Sequence, residues 1–310
     1  MTKVIGGYFE LELTKRYKNT RDAIALNSAR NCLRYIIRAY KIKEIFLPYY
    51  TCPVVWQAVR KENCRINFYH IDENFMPEKE FEKEDYVLYT NYFGVCGKNV
   101  KKLAAKYKNI IIDNSQAFYM PKYGIASFNS IRKFFGVPDG ALLYCDKILD
   151  EEFEKSTSYQ KCSHLLKRLD VSMNFGYQDF CFNEEILLDE DIKTISNLTK
   201  SIFNTIDIQK AREKRLENYQ ELSLELAKSN KLQIEPDKED VPMYYPYMVD
   251  NYVFYRNLLA KNNIEIPLYW NNLPKDFPES NLRNKILLLP MDQRYNKKDM
   301  EKILEIINKK

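Results

Sequence analysis

The side chains best suited to chemistry lie between residues 109 and 145, NIIIDNSQAFYMPKYGIASFNSIRKFFGVPDGALLYC. An apolar run ends in Asp113, and Gln116 follows within one turn. About twenty residues later come Ser130, Arg132 and Lys133, then a turn carrying Gly136, Pro138, Asp139 and Gly140. A carboxylate at the end of a buried strand is costly unless it faces a cation. A lysine just before the next strand can face the same point. That pair suits a cofactor with a protonatable ring nitrogen at one end and an aldehyde at the other, which describes pyridoxal phosphate.

These residues need elements to position them. The segment 109–113, NIIID, reads as a buried strand, and 125–130 and 140–146 read as two more on either side of the lysine turn. Upstream, 44–50, 65–72 and 85–94 read as strands, and 51–63 and 97–108 as helices. Alternating strands and helices at this spacing predict a mostly parallel sheet covered on both faces, with ligands beyond the carboxyl ends of the strands. NSARNCLRYIIRAY, residues 27–40, has apolar residues at helical spacing, and Asn27 or Ser28 can cap it. The small-residue turn Ser28-Ala29-Arg30 opens that helix and offers free N–H groups to a phosphate.

After residue 147 the pattern becomes helical and charged, with a long helix over 206–228 whose apolar positions only partly keep one face. A second, smaller α+β unit begins near 231. Strands are expected within 232–236, at 243–249 and at 264–270, an apolar run at 285–290, and helices at 251–263 and from 297 to the C-terminus. The division is therefore 1–230 for the large domain and 231–310 for the small one. The opening segment 5–13 reads as a glycine turn and a short strand.

Composition narrows the function. A hydrophobic content of 45% supports a real core, and a net charge of +5 is scattered rather than gathered into the stripe a nucleic-acid surface needs. The seven cysteines form no CxxC pair and there are only two histidines, so neither a zinc site nor a disulfide framework is expected. Free thiols fit a reducing cytoplasm. No signal-peptide h-region opens the chain and no apolar run is long enough for a membrane span. His70 and His164 lack partner motifs and read as structural or solvated.

The chain resembles the DegT/StrS family of sugar aminotransferases, which use pyridoxal phosphate and have the fold-type I, aspartate-aminotransferase-like architecture. The resemblance is carried, in order, by IGGYFELEL, NSARNCL, LPYYTCPVV, IIIDNSQAF, SFNSIRKFFGVPDGALL and LLLPMDQRYNKKDMEKILEII. Asp113, Gln116 and Ala117 match the family pattern D-x-x-Q/H-A. The resemblance implies that Asp113 holds the ring nitrogen protonated, Gln116 contacts the ring's phenolic oxygen, and Lys133 holds the cofactor covalently and carries the proton. Ser130 lies three residues before Lys133, and Asp139, Gly140 and Ala141 match the family's E-G-G.

Two registers are open at the lysine. The common family pattern S-F-H-x-x-K, laid on Ser127-Phe128-Asn129-Ser130-Ile131, puts Arg132 at the nucleophile position, where no workable Schiff base forms. Lys133 keeps the following turn in register without a gap and is preferred. Phosphate would fall to Ser28, Ala29 and Arg30, with Arg30 adding a charge-assisted contact. Tyr50 stands near Cys52, where relatives place a stacking aromatic. Asn174 and Tyr177 weakly match the family's Asn-Tyr-Arg segment near the neighbouring subunit's site, and Tyr269-Trp270 fall in a segment that approaches the site in relatives.

The implied function is amino transfer from glutamate to a nucleotide-linked keto sugar, for amino-sugar and surface polysaccharide synthesis. A homodimer with shared active sites is implied as well, without nucleic-acid or membrane partners. The alternatives are a sugar dehydratase, a transaminase of a small ketone, or a degenerate homologue that only binds.

Overall fold

The computed structural model describes residues 8–14, 16–20, 22–270 and 273–309. Strand β1 (Ile24–Leu26) leads into helix α1 (Ala29–Tyr40), and β2 (Glu44–Pro48), α2 (Pro53–Lys61) and β3 (Arg65–Tyr69) follow. The alternation continues through β4 (Val87–Thr90), α3 (Gly97–Lys106) and β5 (Ile110–Asn114). Strands β6 (Ala126–Asn129) and β7 (Ala141–Cys145) flank the lysine turn.

Together they make a seven-stranded sheet in the order β1-β7-β6-β5-β4-β2-β3. The pairings β2–β3, β2–β4, β4–β5 and β5–β6 are parallel, while β7 runs antiparallel to both neighbours. Strand β5 shows why the sheet is covered on both faces. Ile110, Ile111 and Ile112 are all fully buried, so neither face of this central strand meets water. Helix α1 packs with Cys32, Leu33, Ile36 and Ile37 buried, the stripe that a 3.6-residue period predicts.

Helices α4 (Ser163–Asp170), α5 (Met173–Asp189), α6 (Asn197–Phe203) and α7 (Ile208–Leu226) come next. The C-terminal unit pairs β8 (Tyr245–Met248) with β9 (Ile286–Leu289) antiparallel, beside α8 (Tyr252–Lys261) and α9 (Lys297–Asn308). A second apolar core joins Leu222 and Leu226 of α7 to Tyr247, Leu259, Leu287 and Ile303. Ala211, near the other end of α7, packs instead with Phe134, Phe135 and Phe203. The helix therefore serves two cores with different faces, which explains its irregular apolar spacing.

Several expected elements differ. Of the strand expected at 5–13, residues 5–7 lie outside the described residues, and 8–13 form no strand. Tyr8 and Phe9 stand almost fully exposed there, with no ladder to join. The strand expected at 85–94 stops at Thr90, and residues 92–94 form a tight turn with Phe93 at φ 55°. No strand forms within 232–236 or at 264–270. Ile264 and Ile266 bury their side chains in the second core, so apolar content there reflects packing rather than pairing. Strand β1 is three residues long, too short for period-2 alternation to announce it. Among the described residues no helix is long and apolar enough to cross a membrane, and no cluster of His, Cys, Asp and Glu could hold a metal ion.

Candidate active site

The parallel register sets the floor of the site. Thr90 of β4 lies opposite Asp113 of β5, and Asp113 lies opposite Phe128 of β6. These strand ends open on a cavity of about 150 Å³, and all three residues line it. The cavity thus sits beyond the carboxyl ends of the parallel strands, where open α/β sheets bind ligands.

Asp113 is buried, and its Oδ1 accepts a hydrogen bond from the Ser115 backbone N–H at 2.8 Å. Burial pushes its carboxyl above the ordinary aspartate value, and the Ser115 bond and the Lys133 ammonium pull back against that. Gln116 is also buried and lines the cavity. Its Oε1 accepts from the Phe93 backbone N–H at 2.8 Å, so the amide NH₂ is the end left to donate to a ligand. Gly94 is required beside it, because at φ +74° a Cβ would come within 2.6 Å of the Gln116 carbonyl oxygen.

The lysine turn closes another wall. Ser130 follows β6, and Arg132 and Lys133 sit in a single 3-10 turn. Lys133 lines the cavity and is exposed to solvent there, with protein groups crowding its ammonium end. Burial depresses its pKa, attraction from Asp113 opposes this, and repulsion from Arg132 and Arg30 adds to it. Its Nζ lies 5.7 Å from the centre of the Tyr269 ring. Arg132 also lines the cavity, but its guanidinium is taken up by an ion pair with Glu184 of α5. Burial, and then repulsion from Arg30, lower the Arg132 pKa to about 10.

The turn is held from outside. Asp139 is fully buried and accepts from the Ser158 hydroxyl at 2.7 Å, the Ser196 hydroxyl at 3.2 Å and the Thr199 hydroxyl. Asn183 of α5 donates to the Pro138 carbonyl at 2.9 Å. The Phe134 carbonyl, next to Lys133, accepts from Gln293 at 2.6 Å. The buried Arg215 of α7 lies 4.4 Å over the Phe134 ring and is bonded to that Gln293 at 2.8 Å.

The opening of α1 supplies the last wall. Ser28 caps the helix, its Oγ accepting from the Asn31 N–H at 3.3 Å. The first-turn N–H groups of Ala29 and Arg30 have no partner within the helix. Ser28, Ala29 and Arg30 all line the cavity. The Arg30 Nη1 is buried without a hydrogen-bond partner, and burial lowers its pKa. A buried, unpaired guanidinium nitrogen beside a helix N-terminus is an anion site waiting for its anion. The residues present therefore fit the phosphate of pyridoxal phosphate at this end and its ring nitrogen at Asp113.

Asp113, Gln116, Ser130, Lys133, Ser28, Ala29 and Arg30 are thus brought together, and Tyr50 is not. Its ring is buried in an aromatic cluster, 5.7 Å from Tyr92 and 4.4 Å from Trp270, and does not line the cavity. Trp270 and Phe128 are the aromatics that line it. Tyr177 stands exposed on α5 beside Phe180, away from the cavity, as does Asn174. His70 bonds Glu279 through Nδ1 at 2.8 Å, and His164 packs against Phe180. Sequence reasoning missed Thr90 and Glu184. Thr90 was available as the buried polar end of a strand neighbouring Asp113; Glu184 carries no local signal.

No protein-family model matches the chain, and no curated protein matches it in sequence. Solved structures match it in shape. A DegT/DnrJ/EryC1/StrS aminotransferase from Brucella abortus gives a TM-score of 0.64 at 14% identity, over 94% of this chain and 86% of that one. Spr1654 from Streptococcus pneumoniae, described as a sugar aminotransferase and solved in its PLP form, gives 0.61 at 14% identity, over 93% and 86%. DesI, solved in the presence of its TDP-sugar product, gives 0.61 at 14% identity, over 94% and 81%. At such identities the likeness is one of fold: this chain has the α/β architecture of those aminotransferases.

Proposed function

We propose that the chain is a pyridoxal-phosphate-dependent aminotransferase that moves an amino group from glutamate to a nucleotide-linked keto sugar, in the synthesis of amino sugars for surface polysaccharide. The observation that carries this reading is the convergence of Asp113, Lys133 and the unpartnered Arg30 on one cavity. The shared fold with sugar aminotransferases supports it, one of them solved in its PLP form and another with a TDP-sugar product.

In this reading Ser28, Ala29, Arg30 and the Ser130 hydroxyl would take the cofactor's phosphate. Asp113 would hold the ring nitrogen protonated, and the positive ring would relieve the cost of burying that carboxylate. The Gln116 amide would donate to the ring's oxygen. When bound, pyridoxal phosphate supplies an electrophilic carbon and an electron sink. Lys133 acts as covalent anchor and as base. Its depressed pKa keeps more of the amine unprotonated near neutral pH than on a surface lysine, so Nζ can accept a proton and return it. Between the two candidate positions, the attraction of Asp113 for Lys133 and the engagement of Arg132 by Glu184 favour Lys133. Trp270, Phe128 and Val55 give the cavity an apolar part of its wall. The working molecule would be a homodimer with shared sites.

The test is direct. The full chain with pyridoxal phosphate should show the visible band of the bound cofactor. Glutamate should shift that band and release 2-oxoglutarate stoichiometrically, and one member of a panel of nucleotide-linked keto sugars should restore it. A chain that stays colourless with pyridoxal phosphate is not an aminotransferase.

A further inference from the structure

We infer that Arg132 is a recognition site for the carboxylate of an acidic small molecule, and that Glu184 is its exchangeable counter-ion. The assignment deepens the amino-transfer reading and rests on it only for the acid's role as amino donor.

Arg30, Arg132 and Lys133 line one cavity, as do Asp113 and Glu184. Lys133 and Asp113 attract each other across it. Arg30 has a buried nitrogen without a partner beside the α1 N-terminus, which suits phosphate. Arg132 is the cation left over, and a carboxylate already sits on it.

The two members of that pair are not equally trapped. The Arg132 side chain is 15% accessible and the Glu184 side chain 38%, although the Glu184 Oε1 against Arg132 is itself buried. A side chain that exposed can swing toward water more readily than its partner. A guanidinium that buried cannot, and leaving it unpaired is expensive. Glu184 therefore leaves only when another anion arrives. A carboxylate fits best. It matches the planar guanidinium fork and replaces one negative charge by one, whereas a phosphate dianion calls for a second cation that Arg30 has already committed.

This solves a problem set by two dissimilar substrates. When an acid enters, its carboxylate displaces Glu184 and takes the fork. When a substrate without a carboxylate there enters, Glu184 returns. At no stage is Arg132 left buried and unpaired. The exchange breaks and forms only ionic contacts.

The experiment is calorimetric titration of glutarate into the full chain, with pyridoxal phosphate or inorganic phosphate present to fill the Arg30 site. Glutarate has neither amine nor ketone, so nothing turns over. Glu184→Gln should bind it about tenfold more tightly than wild type, because the competing carboxylate is gone. Arg132→Gln should bind it at least about tenfold more weakly, with Arg132→Lys in between. Circular dichroism checks that each variant is folded. Should Arg132→Gln not fold, Glu184→Gln still decides, since misfolding does not produce a gain in affinity. Unchanged affinity in Glu184→Gln, wild-type affinity in a folded Arg132→Gln, or competition between phosphate and glutarate for one site would each overturn the assignment. A chain that binds glutarate in this pattern yet shows no cofactor band refutes amino transfer and leaves the carboxylate site standing. A band without the Glu184→Gln gain does the reverse.

Discussion

At the scale of single residues the site places charge where burial opposes it. Asp113 is the clearest case, a buried carboxylate with its pKa raised by burial. A carboxyl whose folded pKa lies above its unfolded one stabilises the fold most below the unfolded value, and loses that contribution as pH rises through the folded value. Asp113→Asn in the cofactor-free chain should therefore raise the melting temperature at neutral pH, with the gain fading below about pH 4. Thermal unfolding at the two pH values measures this. Under the proposed function the same substitution should lower turnover by roughly 10²–10³-fold, because it removes the charge that would hold the ring protonated. Stability and activity then move in opposite directions, as expected where function costs stability. Lys133, with its depressed pKa, should be labelled by an amine-reactive reagent at pH 8 faster than surface lysines. Peptide mapping would show the order, and equal labelling would speak against a depressed amine. That Asp113, Gln116 and Lys133 would meet at one cavity was legible because an apolar strand announces its own end and the lysine follows in a recognisable turn. Tyr50 was misplaced because adjacency to Cys52 says nothing of where a ring points, and its ring turns toward Phe75 and Tyr92. Glu184 was invisible, since its partner Arg132 lies on a separate segment and no spacing rule links them.

Among elements, the lysine turn matters most. It is short, has no strand of its own, and depends on what grips it. Asp139 ties it to the N-terminus of α6 and to Ser158. Gly140, at φ +109°, allows the chain to enter β7 against Ile195 and Thr199. Asp139→Ala should leave these hydroxyls without their buried acceptor and cost about 3 kcal/mol or more by denaturant unfolding. A cost below 1 kcal/mol would mean that the clamp carries little. The alternating strands and helices of the sheet were legible because local periodicity and burial agree there. The strand expected at 264–270 failed because Ile264 and Ile266 fill the second core unpaired while Trp270 packs in the first, and β1 escaped notice because three residues carry no period.

For the whole molecule, the hairpin of α4 and α5 stands out. Leu166, Leu169, Phe175, Tyr177 and Phe182 are each more than half exposed on it. A patch of that kind marks an interaction surface. On the same hairpin Asn183 and Glu184 reach the lysine turn and the cavity wall. A second copy seated on the patch would lie beside the active site, as shared sites require. Light scattering should find a dimer, and Phe175→Asp with Phe182→Asp should give a monomer with lowered activity; a wild-type monomer of full activity would exclude shared sites. The proposed aminotransferase needs Lys133, rather than Arg132 or a distant lysine, to meet an aldehyde cofactor held at Asp113 and Arg30. The most direct measurement is borohydride reduction of the chain saturated with pyridoxal phosphate, followed by mass mapping of the peptides. One phosphopyridoxyl group is expected on the peptide bearing Lys133, absent in Lys133→Ala. A single modification at another lysine, or none, would contradict it.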